Sequence, residues 1–205
     1  MFIYRLLKLS AFVLSKLFFH LEIKGRKLIP RQGGFVLVSN HSSFLDPVIL
    51  GAACPRVLNF AARDTLFRNR FFAALLRKVC AFPIKRWSAD FSAVRESVRR
   101  LKAGAGLVVF PEGTRSLESE MQNITYGFVL LSCRAGVPII PAWISGSKSA
   151  WGKGDKMIKL ARIKVIFGQP VYLSSSRSYS EIAQYVHKQI QQLKLKYIFD
   201  NAMKL

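Results

Sequence analysis

The sequence predicts an α/β fold with a mostly parallel central sheet flanked by helices. Short, continuous apolar runs such as FVLV (35–38) and GLVVF (106–110) are typical of strands buried on both faces. Segments with apolar residues at helical spacing alternate with these runs. A length of 205 residues suits one main domain, and 51% hydrophobic with 21% charged residues indicates a folded chain.

The N-terminal segment, residues 1–24, is predicted to be an amphipathic helix lying in a membrane interface, and the main domain follows over 25–205. Arg5, Lys8 and Lys16 fall on one narrow stripe at helical pitch, and most other positions are Leu, Phe, Ile or Val. The basic stripe suits lipid headgroups, and the apolar face suits the bilayer. The alternative is a soluble helix packed on the domain. Because the charges interrupt every apolar run well short of the roughly 20 residues of a spanning helix, monotopic attachment is expected.

The main domain divides into strands and helices that alternate. The predicted strands are 34–40, 56–62, 106–110, 137–146 and 162–173, with a loop or short strand at 81–86. The predicted helices are 46–53, 64–80, 88–104, 123–136 and 178–200, with Pro47 in the first turn of the first and Asp64 capping the second.

The net charge of +21 indicates an anionic partner, which could be nucleic acid, a membrane surface or a phosphorylated substrate. The basic residues are scattered along the chain, and no nucleic-acid-binding motif occurs, so nucleic acid is not expected. The three cysteines have no paired or metal-binding spacing. They are expected to be reduced thiols in a cytoplasmic setting, without a metal site.

The stretch SNHSSFLDP (39–47) places a histidine and a carboxylate directly after the first buried strand. A neutral imidazole is the usual general base near pH 7, and Asp46 could fix the tautomer of His41. Side chains five positions apart on one helix would point about 140° apart. The pair therefore requires His41 in the turn before the helix and Asp46 near its start. The alternatives are a plain helix cap for Asp46 and a backbone-bonded His41.

A second polar loop, FPEGTRS (110–116), follows the third buried strand. Sites in parallel α/β sheets gather beyond the carboxyl ends of strands, so this loop and His41 are expected to face one crevice. The guanidinium of Arg115 suits a phosphate, and Glu112 could bond a hydroxyl or hold Arg115. An ordinary turn with a surface arginine is the alternative. The candidate residues of the loop are Glu112, Gly113, Thr114, Arg115 and Ser116.

These two loops resemble the signatures of the glycerolipid acyltransferase family, in particular the 1-acylglycerol-3-phosphate acyltransferases, which are H-x-x-x-x-D and a later F-P-E-G-T-R-S. AFPIKR (81–86) and GVPIIPAWI (136–144) resemble two further blocks of the family in the same order. The resemblance covers roughly residues 25 to 170. The sequence departs from the family pattern at Lys85, where an acidic residue is frequent, and at Tyr126, where a lysine is frequent.

The resemblance implies acyl transfer from acyl-CoA or acyl carrier protein to the sn-2 hydroxyl of 1-acylglycerol 3-phosphate, giving phosphatidic acid for phospholipid synthesis. His41 would be the general base and Asp46 would orient it, with no acyl-enzyme, cofactor or metal. The implied substrate-binding residues are Glu112, Gly113, Thr114, Arg115, Ser116, Lys85, Arg86, Val137 and Pro138.

The expected partners are the membrane lipid substrate, an anionic membrane surface and, if it is the donor, acyl carrier protein. The expected location is the cytoplasmic face of a membrane. Two alternatives stay open on the sequence. One is an acyltransferase with another acceptor, such as glycerol 3-phosphate or a different lysophospholipid. The other is a non-catalytic basic module that binds lipid or nucleic acid.

Overall fold

A computed structural model of the chain describes residues 2–85, 90–111, 126–173 and 177–202, with a seven-stranded sheet between layers of helices. The strands are β1 Glu22–Lys24, β2 Phe35–Ser39, β3 Leu58–Arg63, β4 Ala81–Ile84, β5 Gly106–Val109, β6 Ile139–Ser145 and β7 Lys164–Phe167. The helices are α1 Phe2–Phe19, α2 Asp46–Ala53, α3 Arg70–Lys78, α4 Phe91–Lys102, α5 Gly127–Ala135, α6 Ser147–Trp151 and α7 Tyr179–Ala202.

The strand order is β1-β7-β6-β2-β5-β3-β4. The five strands from β6 to β4 are mutually parallel, whereas β7 is antiparallel to β6 and β1 is parallel to β7. The predicted α/β class with a mostly parallel sheet is therefore confirmed. The five parallel strands end at one edge of the sheet, which is called the carboxyl edge below.

Two hydrophobic layers enclose the sheet, and β2 contributes to both because side chains alternate along a strand. Phe35 and Leu37 pack with α1 and α2 on one side, the α1/α2 face. Val36 and Val38 pack with α4, α5 and α7 on the opposite face. All five residues of β2 are buried, which explains why the run has no polar alternation.

The N-terminal segment is shorter as a helix than predicted. α1 ends at Phe19, and the chain reverses at His20, which has a φ of 44° in the left-handed region that His tolerates better than most residues. Residues 22–24, which were expected to be helical, form β1 and pair with β7. Glu22 and Lys164, partners in this register, form an ion pair of 2.8 Å.

The helix predicted over 64–80 is also shorter. Asp64–Phe67 forms a 3-10 turn, in which the Asp64 carboxylate accepts a hydrogen bond from the adjacent Thr65 amide at 2.9 Å. The cap of α3 is Asn69, whose Oδ1 accepts from the Phe72 amide at 3.0 Å. The prediction of Asp64 as the cap was wrong because a second capping residue lies five positions later.

One residue of the basic stripe of α1, Lys8, contacts the domain, whereas Arg5 and Lys16 are exposed. The Lys8 ammonium donates to the carbonyl oxygens of Cys54 at 2.6 Å and Arg56 at 3.0 Å, beside the end of α2. Cations are favourable there because the last carbonyls of a helix lack internal partners. The expected contact of Lys8 with headgroups is therefore wrong, and burial lowers the pKa of its amine.

The exposed arc of α1 is apolar. Its exposed large hydrophobic side chains are Phe2, Ile3, Leu6, Leu7, Leu9, Val13, Leu14, Leu17 and Phe18. Among the described residues, no helix combines the length and apolar content that crossing a bilayer requires.

Candidate active site

The carboxyl edge brings the ends of β2, β5 and β6 side by side. Val38 is level with Val109 of β5, and Ser39 is level with Ala142 of β6. His41 therefore leaves the sheet next to Phe110, the first residue of the second predicted loop. The remaining predicted residues of that loop, Glu112 to Ser116, lie outside the described residues.

His41 and Asp46 form a direct pair. Nδ1 of the imidazole lies 2.9 Å from Oδ2 of Asp46, with the histidine side chain 12% exposed and the carboxylate fully buried. The carboxylate accepts a hydrogen bond from the protonated Nδ1, so the lone pair of the neutral imidazole lies on Nε2. No described residue makes a hydrogen bond to Nε2. The imidazole can therefore act as a base through Nε2.

The turn before α2 makes this pairing possible. Asp46 is the first residue of α2, and its Oδ2 also accepts from the backbone amides of Ser42 at 2.7 Å and Ser43 at 2.8 Å. The carboxylate thus bonds the preceding loop and does not cap its own helix. Three donors on one oxygen stabilise its negative charge in a buried setting.

Two polar side chains fix the loop to its neighbours. Asn40 exchanges two hydrogen bonds with Ile144 of β6: its Nδ2 donates to the carbonyl at 2.9 Å, and its Oδ1 accepts from the amide at 2.8 Å. Ser43 donates to the Trp151 carbonyl at 2.7 Å and accepts from the Leu45 amide at 3.1 Å. The loop that carries His41 is therefore held by β6 and α6.

The hydroxyls of the two serines beside His41 contact groups other than the imidazole. The Ser42 hydroxyl lies 3.3 Å from that of Ser147 at the start of α6, and the Ser43 hydroxyl makes the two bonds described above. Ser147 follows Gly146, which has a φ of 82° and whose missing Cβ would lie 1.9 Å from the Arg162 carbonyl oxygen. Only glycine fits this turn. Neither serine hydroxyl is bonded to His41.

Phe110 completes the immediate surroundings of His41. The two rings stack with centroids 4.1 Å apart and an angle of 19° between their planes. The imidazole is thus held at its edge by Asp46 and on one side by an aromatic ring. Sequence reasoning missed the roles of Asn40 and Phe110. Both stand inside the motif stretches, but neither has a titratable group that would have drawn attention to it.

The other predicted site residues lie farther away. Lys85 follows β4 at the same carboxyl edge, three strands from β2, or about 14 Å at the usual strand spacing. Val137 and Pro138 precede β6, where the Pro138 carbonyl accepts from the Val36 amide at 3.0 Å, so they lie at the opposite edge from His41. The structure does not bring them together with His41. Arg86 lies outside the described residues.

Metal ligands do not converge in the described part of the chain: no group of three or more His, Cys, Asp or Glu side chains there could hold an ion. The pairing of His41 with Asp46 allows proton transfer at the Nε2 atom of His41.

Comparisons with known proteins identify the family of this chain. The family model described as Acyltransferase matches residues 20–145, which include His41, Asp46 and the FPEGTRS loop. The 1-acyl-sn-glycerol-3-phosphate acyltransferase of Bacillus subtilis is 27% identical over 182 residues, covering 85% of this chain and 88% of that protein. The protein of the same name from Streptococcus pneumoniae is 30% identical over 156 residues, covering 75% of this chain and 56% of that protein.

A solved structure shares the fold. The crystal structure of the 1-acyl-sn-glycerophosphate acyltransferase PlsC from Thermotoga maritima superposes with a TM-score of 0.78 at 22% identity. The alignment covers 92% of this chain and 77% of that one. Because the family model matches more than half of its residues, this chain belongs to the acyltransferase family.

Proposed function

We propose that this acyltransferase moves an acyl group from a thioester to the sn-2 hydroxyl of 1-acylglycerol 3-phosphate and releases phosphatidic acid. The observation that carries the proposal is the 2.9 Å contact between His41 and the buried Asp46 at the carboxyl edge. The names of the relatives from Bacillus subtilis and Streptococcus pneumoniae support this choice of acceptor.

His41 serves as the general base of this reaction. Its Nε2 takes the proton of the acceptor hydroxyl as the oxygen attacks the thioester carbonyl. The tetrahedral intermediate then collapses, the carbon–sulfur bond breaks, and the imidazolium gives the proton to the departing thiolate, which leaves as the thiol. Asp46 keeps Nδ1 protonated and stabilises the imidazolium, as a buried carboxylate partner of histidine can.

Transfer is direct, without an acyl-enzyme. A serine nucleophile would need its hydroxyl within hydrogen-bond reach of Nε2. Ser42 and Ser43 are the serines next to His41, and their hydroxyls contact Ser147, Trp151 and Leu45 instead. The contacts of these two serines support the acceptor oxygen as the nucleophile. The donor is acyl-CoA or acyl carrier protein, and no cofactor is required.

The acceptor phosphate is bound by basic residues that follow β4 and β5 in the sequence. Arg115 is proposed as its main ligand because a guanidinium can bind phosphate through two parallel hydrogen bonds. Arg86 and Lys85 are the further candidates, and Lys85 is exposed at the end of β4 on the carboxyl edge. Glu112 and Gly113 would complete the acceptor site in the same loop as Arg115.

The enzyme works on the surface of a membrane, on its cytoplasmic face. The broad apolar arc of α1 supports this proposal, because nine exposed large hydrophobic side chains on one helix would be costly in water. The net charge of +21 adds attraction to anionic lipids. Because Lys8 is bonded to the domain, α1 would lie on the bilayer as a fixed part of the α1/α2 face.

The direct test is an assay of purified protein with 1-acylglycerol 3-phosphate, glycerol 3-phosphate and other lysophospholipids, each with acyl-CoA and acyl carrier protein donors. We expect phosphatidic acid as the main product. His41→Ala should lower turnover by about a hundred- to ten-thousandfold while the protein stays folded. Turnover near the wild-type value in this variant would remove His41 from the mechanism.

A further inference from the structure

α3 exposes aromatic and aliphatic side chains in a way that the catalytic site does not explain. Phe71 is 89% exposed, and Phe72 and Leu75 are also exposed on the same short helix. Leu66, in the turn before α3, is exposed as well. The one buried residue of α3 is Ala73, so the helix contacts the domain through a small side chain and presents its large ones outward.

The surroundings of these side chains are basic. Residues 65–89 contain six Lys or Arg and no Asp or Glu. Arg68 and Arg70 precede the exposed phenylalanines in sequence, and Arg77 follows them on α3. Aromatic rings beside arginines suit the boundary between acyl chains and headgroups, where the rings are partly inserted and the cations meet phosphates.

α3 lies on the same face of the sheet as α1. The connections β2–α2–β3 and β3–α3–β4 join parallel strands and both step toward the β4 end of the sheet. Such crossovers are right-handed in nearly all proteins, which places α2 and α3 on one face. α1 packs on α2, so the apolar arc of α1 and the helix that carries the exposed rings belong to the same face of the sheet.

We propose that α3, with the turn before it, is a second membrane-contacting element that binds an anionic bilayer surface together with α1. This inference rests on the proposed function, since both need a lipid interface. α3 begins shortly after the carboxyl end of β3, so it anchors the side of the carboxyl edge distant from α1. Two separated contacts fix the tilt of the domain and keep the His41 edge close to the lipid substrate.

An acidic carrier protein is the competing occupant for a basic surface. Docking of an acidic protein would need only the basic residues of this surface. The exposed rings of Phe71 and Phe72 are better explained by insertion into a bilayer. Phe44 and Val48, exposed at the start of α2 on the α1/α2 face, extend the apolar surface toward His41. A lipid surface accommodates such a long, discontinuous apolar face better than one small protein does.

The test measures binding to vesicles of phosphatidylglycerol and phosphatidylcholine by sedimentation, with the full chain. Phe71→Ser combined with Phe72→Ser should weaken binding about tenfold or more. The matched control is Phe91→Ser, which removes an exposed ring, 72% accessible, from α4 on the opposite face. This control should bind like the wild type. An equal loss in the control, or no loss in the double variant, would overturn the proposal.

Variants that lack arginine charges distinguish the bilayer from the carrier protein as the partner of α3. Arg68→Gln with Arg70→Gln should weaken binding to anionic vesicles but not to neutral ones, whereas Arg95→Gln on α4 should change neither. Activity is then compared with acyl-CoA and carrier-protein donors. Selective loss with the carrier-protein donor, at unchanged vesicle binding, would assign α3 to the carrier and refute membrane contact. If the wild-type chain binds no vesicles, the proposed membrane location itself fails.

Discussion

The phenyl ring of Phe110 stacks on the imidazole of His41 with their centroids 4.1 Å apart. The single hydrogen bond to Asp46 does not by itself prevent rotation of the imidazole. The stacked phenyl ring limits this rotation. Phe110→Leu should therefore lower kcat by about ten- to a hundredfold, with little change in either KM, because a misplaced base reacts poorly with a correctly bound acceptor. Phe110→Tyr should retain most activity since it keeps the ring. Equal losses in both variants would indicate a packing role instead.

Asp46 controls which nitrogen of His41 carries the proton. In Asp46→Asn the amide cannot accept all three donors that now converge on Oδ2, and Nε2–H becomes favourable on the imidazole. We expect kcat to fall about a hundredfold or more. Thermal stability should also fall, because the buried Ser42 and Ser43 amides lose their charged acceptor. Asp155→Asn is the control, because that carboxylate also accepts a backbone amide, from Gly152 at 2.8 Å, but does not contact His41. Comparable kcat losses in the two variants would contradict a specific role for Asp46.

Asn40 connects the catalytic loop to β6 through one donor and one acceptor, both buried. Asn40→Asp keeps the acceptor but loses the donor, leaving a buried carboxylate next to the Ile144 carbonyl. The free energy of unfolding should drop by about 2 to 4 kcal/mol, measured by urea denaturation. Asn69→Asp is the matched control: at a helix cap the carboxylate accepts from the Phe72 amide equally well, so stability should hold. A stable Asn40→Asp variant would mean that water or a shifted loop replaces these bonds.

The sequence sufficed for those parts of the molecule that depend on local pattern. β2 is a continuous buried run, and α2 spans the eight residues predicted for it because Pro47 and the preceding turn define its start. β1 was missed because a three-residue edge strand has too short a pattern, and its position depends on pairing with β7. α6 has only five residues and was missed for the same reason.

The residues of the site also fall into those that local sequence predicts and those that depend on the arrangement of strands. The His41–Asp46 pair follows from spacing, since two reactive groups on either side of a turn can meet without help from distant residues. Phe110 and Asn40 depend on β5 and β6 lying next to β2, which is a property of strand order and not of any window of sequence. The contact of Lys8 with the domain was likewise missed, because it depends on the end of α2 lying beneath α1.

The Tyr4 hydroxyl fastens the start of α1 to the sheet by accepting a hydrogen bond from the Leu58 amide at 3.0 Å. Burial raises the pKa of Tyr4 to about 12 from 10.0. Because the folded-state pKa lies above the unfolded one, the stabilising effect of the protonated hydroxyl is complete below pH 10 and is lost between about pH 10 and 12.

Tyr4→Phe should lower the free energy of unfolding by about 1 to 2 kcal/mol at pH 8, and this deficit relative to the wild type should shrink at pH 11. Tyr172→Phe, at an exposed tyrosine, should show no deficit at either pH; a pH-independent deficit for Tyr4→Phe would contradict the linkage.

The apolar arc of α1 can be tested without removing the helix. Deleting residues 1–20 would also remove Tyr4 and Lys8 and uncover α2, so a loss of activity in that variant would not isolate membrane contact. Leu6→Gln is cleaner, because its side chain is 52% exposed on the arc. It should weaken binding to anionic and neutral vesicles alike, by about tenfold at most, because the lost apolar insertion is not screened by salt.

The control is Leu195→Gln, which changes a leucine that is 51% exposed on α7, on the opposite face, and which should bind as the wild type does. If both variants lose binding equally, the chain contacts lipid through general hydrophobicity rather than through the α1/α2 face.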